Sequence, residues 1–429
     1  MRKLSKKLVA ACMTAAMMLT MVPAAFAAEP TATTEGLTQV DGVYQIEDGA
    51  DLVAFAALVN GGDTDANAIL VNNIDLTNLT YTPIGTSYSN PYSGTFDGND
   101  KTISNVTITG SDASDSQIWA GIFACVSGTV KDFTLDNVGI NNTSTASSGT
   151  DSDQAASGTA VAVLIGGTVE NVDALSTCSV NGIYRTGGIV GSSKDVGAEI
   201  TDCVNAAPVT GTGNYTGGIV GAAHNVWGLT WDMGTTISGC TNTAAVTGTS
   251  EVGGIAGYAD RAIVEDCTNE GTVTGTGNYG TGGIVGCDIF NRYYSIFAPD
   301  LGSTIENCVN SGSVTAPRAG GILGSFVVAP GDSQPSRDTY STINSCTNTG
   351  AISSSAANGK CGAIYGAPIS YAQGDADTAV SHMKVSIENC KVGGSVRDVQ
   401  LTADNYLTYI AGSSLVDAGT GNVFYSESN

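Results

Sequence analysis

The feature that most constrains this chain is a short glycine unit that returns along most of its length. Gly187-Gly188-Ile189-Val190-Gly191 recurs as Gly217-Gly218-Ile219-Val220-Gly221, Gly253-Gly254-Ile255-Ala256-Gly257, Gly282-Gly283-Ile284-Val285-Gly286 and Gly320-Gly321-Ile322-Leu323-Gly324. Gly362-Ala363-Ile364-Tyr365-Gly366 is a degenerate last copy, and Gly121-Ile122-Phe123-Ala124 and Val161-Ala162-Val163-Leu164 read as earlier, worn ones. A second unit alternates with the first: a β-branched residue, two polar or small residues, Cys, any residue, Asn. It runs from Ile200 to Asn205, Ile237 to Asn242, Val264 to Asn269, Ile305 to Asn310 and Ile343 to Asn348, and Ile387 to Cys390 repeats it without the Asn. A third, Val209-Thr210-Gly211-Thr212, returns at Val246, Val273 and, shortened, at Val314. Self-similarity of this kind means stacked structural repeats.

Each repeat therefore holds three short β-type segments separated by Gly and Asn turns. The tightest Cys-to-Cys spacings are 25 residues (Cys178 to Cys203) and 27 (Cys240 to Cys267). A propeller blade needs four strands and roughly 40–45 residues, more than these repeats supply. A leucine-rich repeat needs a Leu framework that is absent. The remaining architecture is all-β: a right-handed parallel β-helix, each coil about 4.8 Å from the last and equivalent residues in ladders. Ile, Val and Cys at fixed places are expected to point inward. The Gly pairs are expected to give tight corners with positive φ. The Asn two residues after each Cys is expected in a left-handed turn, its amide bonding its neighbours in adjacent coils.

A stack of this kind needs its ends covered. Asp48 is placed to cap a helix with Asp51 at its third position. Leu52, Phe55, Ala56 and Val59 form an apolar stripe, and Gly61-Gly62 ends it. Strand-like stretches follow around Ile69–Leu76 and Lys101–Ile108, joined by a turn at Asp97-Gly98-Asn99-Asp100. The resulting division is a signal peptide (1–27), an N-terminal cap with the first strands (28–110), β-helix repeats (111–398) and a C-terminal cap (399–429). The signal reading rests on Arg2, Lys3, Lys6 and Lys7, the apolar run from Leu8 to Val22, and Ala25-Phe26-Ala27 as a cleavage site. Beyond it no apolar run is long enough to span a membrane. The expected location is secreted or cell-surface.

Charge narrows the partners. After the leader, 12 basic side chains face 40 acidic ones, a net charge of −28. Nucleic-acid binding requires phosphate-neutralising Lys and Arg, so it is excluded, as is docking on anionic lipid.

The Gly-Ile-Val-Gly units, each about a coil apart, resemble the GLUG-motif repeats of bacterial secreted and surface proteins. The opening, from Tyr44-Gln45-Ile46 through Asp51-Leu52-Val53-Ala54-Phe55 to Gly94-Thr95-Phe96-Asp97-Gly98-Asn99, fits the same group. The resemblance covers most of residues 40–395. It implies an adhesin-like protein or a non-catalytic part of an immunoglobulin-cleaving metallopeptidase. The zinc-protease motif H-E-x-x-H is absent from this sequence, so proteolysis does not carry over.

Residues that could do chemistry are sparse. The two His, His224 and His382, lack partners at triad or zinc spacing. Asp232, Asp260, Glu265 and Asp266 are candidate acids for a polysaccharide-degrading β-helix. Cys178, Cys203, Cys240, Cys267, Cys308, Cys346 and Cys390 share one repeat position and read as an inward ladder of reduced thiols. Cys125, Cys287 and Cys361 fall outside it. Thr210/Thr212, Thr247/Thr249 and Thr274/Thr276 form a Thr-x-Thr array, an ordinary exposed strand pattern. No cofactor or metal site is expected.

Length variation is more informative. From each Cys to the next Gly pair the spacing is 14, 13, 15 and 12 residues; from the Gly pair to the next Cys it is 16, 23, 14, 26 and 26. Insertions therefore leave the stack at one corner, and such a face is often the binding face. The insertions carry aromatics: Trp227 and Trp231; Phe290, Tyr293, Tyr294 and Phe297; then Phe326, Tyr340 and Tyr371. A protruding aromatic rim suits sugar stacking or protein contact, and it equally suits packing on itself to cover the coil. The expected function is a non-enzymatic binding or adhesion module for a glycan or a host or surface protein. The alternatives are a polysaccharide lyase or hydrolase of the same fold and a passive surface scaffold.

Overall fold

The computed structural model describes residues 31–34, 36–110, 119–142, 155–194, 197–223, 234–290, 301–328, 339–356, 359–367, 369–370, 383–396, 399–400 and 423–426. The chain winds as a parallel β-helix with three faces. In one coil the first face holds Glu199–Thr201, Val204–Asn205 and Val209–Gly211. The second holds Asn214–Gly217 and the third Val220–Ala223. Each strand pairs in parallel with its equivalent one coil on: Ile200 with Ile237, Asn205 with Asn242, Val209 with Val246, Thr216 with Val252 and Val220 with Ala256. The second face stacks six strands and the third eight.

The inward ladders are the β-branched residues of the repeats. Ile200, Ile237, Val264, Ile305, Ile343 and Ile387 line up, as do Ile189, Ile219, Ile255, Ile284, Ile322 and Ile364, all at most 1 % exposed. Each such side chain contributes about 1.5–3 kcal/mol on burial, which offsets the backbone entropy of ordering a coil. The thiols complete the core: all ten described Cys are buried and free. Each ladder Sγ lies 3.2–3.4 Å from the carbonyl two residues before it, as in Cys267 to Glu265 and Cys240 to Ser238.

Two corner assignments differ from the sequence expectation. The left-handed residue is the one before each Cys, at Asp202, Gly239, Asp266, Asn307, Ser345 and Asn389, with φ between 53° and 66°. The Asn after the Cys is instead fully buried. Asn242 Nδ2 donates to Ala244 O (2.9 Å) and to Asn269 Oδ1 (2.8 Å). Asn269 does the same to Gly271 O (3.0 Å) and Asn310 Oδ1 (2.8 Å), and Asn310 to Gly312 O (3.0 Å) and Asn348 Oδ1 (2.7 Å). Only a primary amide both donates to its own turn and continues such a chain from coil to coil.

The Gly pairs do not take positive φ. They are small because the next coil lies against them. A Cβ on Gly254 would run into Gly283 O and Asn269 Cγ, and one on Gly218 into Gly254 O and Asn242 Cγ.

The N-terminal cover follows the sequence closely. Helix α1 (Gly49–Asn60) is capped by Asp48, which accepts from Ala50 N (2.8 Å) and Asp51 N (3.0 Å). Its buried stripe is Leu52, Phe55, Ala56 and Val59. Phe55 packs against Tyr44, Tyr92 and Phe96 at ring distances of 5.8–6.3 Å, closing the end of the core. Parallel pairing begins within the 28–110 segment, between Val43–Ile46 and Asn67–Leu70. Asp97 to Asp100 forms an irregularity inside the continuous strand Thr95–Gly110, with Asn99 and Asp100 at positive φ. At the other end Val423–Ser426 adds a parallel rung on Met383–Glu388. Residues 1–27, read as the signal, lie outside the described residues. No described helix is long and apolar enough to cross a membrane.

Candidate functional site

The chain passes from the third face of one coil to the first face of the next along a single edge. Between Lys194 and Glu199 this connection has 4 residues, then 12, 3, 10, 10 and 12 in the succeeding coils. From second to third face it has 2 residues in every coil from Gly217 to Leu323. The variable connections thus share one edge of a stack whose other geometry is fixed by ladders.

The aromatics proposed for this edge are placed as follows. Trp227, Trp231, Tyr293, Tyr294, Phe297 and Tyr371 lie outside the described residues, with His224, Asp232 and His382. The backbone of Phe290 ends the strand Val285–Phe290 opposite Val328, and that of Tyr340 lies in Thr339–Asn344 opposite Lys384. Phe326 is not on a rim: it is fully buried in the core. A bulge on the third face explains this. In register, Ala222, Tyr258, Cys287 and Ser325 form one ladder, and Ala223, Ala259, Asp288 and Phe326 the next, which faces inward.

The described residues beside this edge form a cluster the repeat analysis passed over. The position two before each Gly pair carries Arg185, Tyr215, Glu251, Gly280 and Arg318 in successive coils. The first three have φ of 46°, 67° and 50°. Bulky side chains rarely adopt that conformation, and such strain clusters at functional sites. The Arg185 guanidinium lies 6.0 Å from the Tyr215 ring, and that ring meets Tyr258 edge-on at 4.7 Å. Ala222, Tyr258, Cys287 and Val327 form an apolar patch outside the main core, with Tyr215 against it. Glu251 is 5 % exposed, and its Oε2 has no hydrogen-bond partner. Burial pushes its carboxyl up to about 8. Burial, with the Glu251 carboxylate nearby, pushes the Cys287 thiol well up, and burial does the same to the Tyr258 phenol. At neutral pH the three groups are therefore protonated, and none is an activated nucleophile. The signal for this cluster was in the sequence: one variable residue, twice charged and once aromatic, inside an otherwise constant frame.

The other candidate acids do not converge on it. Asp260 ends the third face as a buried partner of Arg261 (3.3 Å). Glu265 lies on the first face between Ser238 and Glu306 of adjacent coils, and Asp266 is the exposed left-handed corner. Among the described residues no group of three or more His, Cys, Asp and Glu is placed to hold a metal ion.

Comparison with known proteins adds the following. The family model for the GLUG motif matches residues 248–274, so the chain carries that motif in the coil from Gly248 through Gly253-Gly254 and Cys267 to Thr274. A solved structure described as a candidate immunoglobulin A1 protease from Bacteroides ovatus is similar at 19 % identity, over 76 % of this chain and 84 % of that one, with a TM-score of 0.46. The ladders establish the β-helix without it. No curated protein matches the chain.

Proposed function

We propose that this β-helix is an exported, surface-associated, non-enzymatic binding protein that engages a glycan or a protein through the edge where its long connections leave. One observation carries the reading. Connection length varies from 3 to 12 residues at this edge while the second-to-third-face corner stays constant. Chain that varies on a fixed scaffold is where binding residues concentrate. The acidic balance turns nucleic acid and anionic lipid away from the same surface.

A second reading, a polysaccharide-degrading enzyme, draws on Glu251. A carboxyl held protonated near neutral pH is what a general acid requires.

The test is retention of the full chain on an array of mucin, plant and bacterial glycans and on host surface proteins, with released sugar scored in parallel. Retention lost in Trp227→Ala/Trp231→Ala, without product, is the expected result. Sugar release abolished by Glu251→Gln would replace the binding reading with the enzymatic one.

A further inference from the structure

Away from that edge, a groove of about 440 Å³ crosses the first face of the N-terminal coils. Its floor is the outward ladder Thr107–Gly139–Ser179, in register on three successive strands. Gly139 has no side chain, so the ladder is interrupted between two hydroxyls. Its wall is the corner ladder of Asn78, Asn105 and Asn137, all left-handed at φ of 62°, 62° and 53°.

The wall is cross-linked. Asn137 Nδ2 donates to Asn105 Oδ1 (2.8 Å), and Asn105 Nδ2 donates to Asp75 Oδ1 (2.9 Å). Thr77 donates to the same Asp75 oxygen from its backbone N (2.9 Å) and its Oγ1 (2.6 Å). Thr177 Oγ1 accepts from Asn137 N (3.1 Å) and donates to Asp136 Oδ1 (2.6 Å). These bonds hold the amides in place and use only part of their capacity. Each Asn retains a second N–H, Asn137 its carbonyl oxygen, and Asp75 its second oxygen. The donations from Thr77 and Asn105 hold the Asp75 carboxyl below its ordinary range, so it stays ionised.

We propose that this groove is a binding site for one or two rings of a neutral glycan. Four observations select that ligand. The volume lies within the usual range of ligand sites. Donors and acceptors alternate along the wall at spacings that match vicinal hydroxyls, each of which both gives and takes a hydrogen bond. Ionised Asp75, with Asp136 beside it and a chain net charge of −24, repels sulfated, phosphorylated and uronic ligands. Val106 is the one large apolar side chain in the lining, so a peptide anchored by buried hydrophobic groups has no pocket here. The groove is distinct from the edge invoked above and stands or falls separately.

The experiment measures binding of the full chain to neutral and anionic oligosaccharides for the parent, Gly139→Val, Asn105→Gly and Trp227→Ala/Trp231→Ala. Gly139 has ordinary φ, and its added Cβ would meet Thr107 Oγ1 at 3.4 Å, so valine fills the floor. Glycine at 105 keeps the left-handed corner and removes the amide. Neutral oligosaccharide binding weakened about tenfold or more (~1.4 kcal/mol) in both groove variants and unchanged in the Trp variant is expected. Equal binding by all four proteins, preference for anionic glycans, or no neutral glycan bound would overturn the groove. Loss in the Trp variant alone would also overturn it while leaving the edge reading intact; loss in the groove variants alone removes the edge reading for glycans. Should Gly139→Val fail to fold, Asn105→Gly decides.

Discussion

Replacing Glu251 by Gln should abolish a specific part of the pH dependence of stability. Glu251 is 5 % exposed with an unpartnered oxygen, and burial raises its carboxyl from 4.5 to about 8. One pKa unit corresponds to about 1.36 kcal/mol. For an acid whose folded pKa lies above its unfolded one, the folded state binds the proton more tightly. Stability is then complete below pH 4.5, falls as pH rises toward 8, and levels off beyond it. The 3.5-unit interval sets the full loss at about 5 kcal/mol, of which about 3 kcal/mol has appeared by pH 7. Gln has nearly the same shape, tolerates the same backbone as Glu and does not ionise. Urea unfolding of both proteins between pH 4 and 9, followed by far-ultraviolet circular dichroism, measures the difference. The general repulsion within a chain of net charge −24 is nearly common to both and cancels. The variant should match the parent near pH 4 and exceed it progressively to pH 9. Parallel profiles, or a variant weaker at pH 8, would refute the argument that a buried, unpaired carboxyl resides there.

Three further outcomes are expected. Asn269→Ala strands the Asn242 amide and the Asn310 carbonyl, each buried, and should cost ~3 kcal/mol or more in denaturant unfolding; a loss under ~1 kcal/mol would show that the amide chain is not cooperative. Gly254→Ala drives a methyl into Gly283 O and Asn269 Cγ, so the thermal midpoint should drop by several degrees or the protein should fail to accumulate, whereas Gly197→Ala, with open space around it, should lose far less. The ten described thiols should resist a thiol reagent in the native protein and react fully after unfolding without reductant; missing reactivity would reveal disulfides.

What was legible beforehand, and what was not, follows from range. The GLUG-type units, the Ile–Cys–Asn units and their spacing determined a stacked coil with inward Ile, Val and Cys, because equivalent residues of a β-helix share one environment and evolve one chemistry. Asp48, Asp51 and the Leu52–Phe55–Val59 stripe determined the cap helix through bonds that span four residues or fewer. Only the tertiary structure decided what surrounds each repeat position. The Asn and Gly-Gly positions suggested turns by local propensity. They proved to be a buried amide chain and a close approach between coils, interactions across 27–41 residues that no local rule contains. Phe326 was assigned to a rim from its place in an insertion, and a bulge in the third face turned it into the core. The strained Arg185–Tyr215–Glu251 positions and the Asp75–Asn105–Asn137 wall exist only once separate coils are laid side by side. Spacing along the chain establishes that residues stack; which atoms then face water, a core or a ligand depends on register and twist summed over many coils.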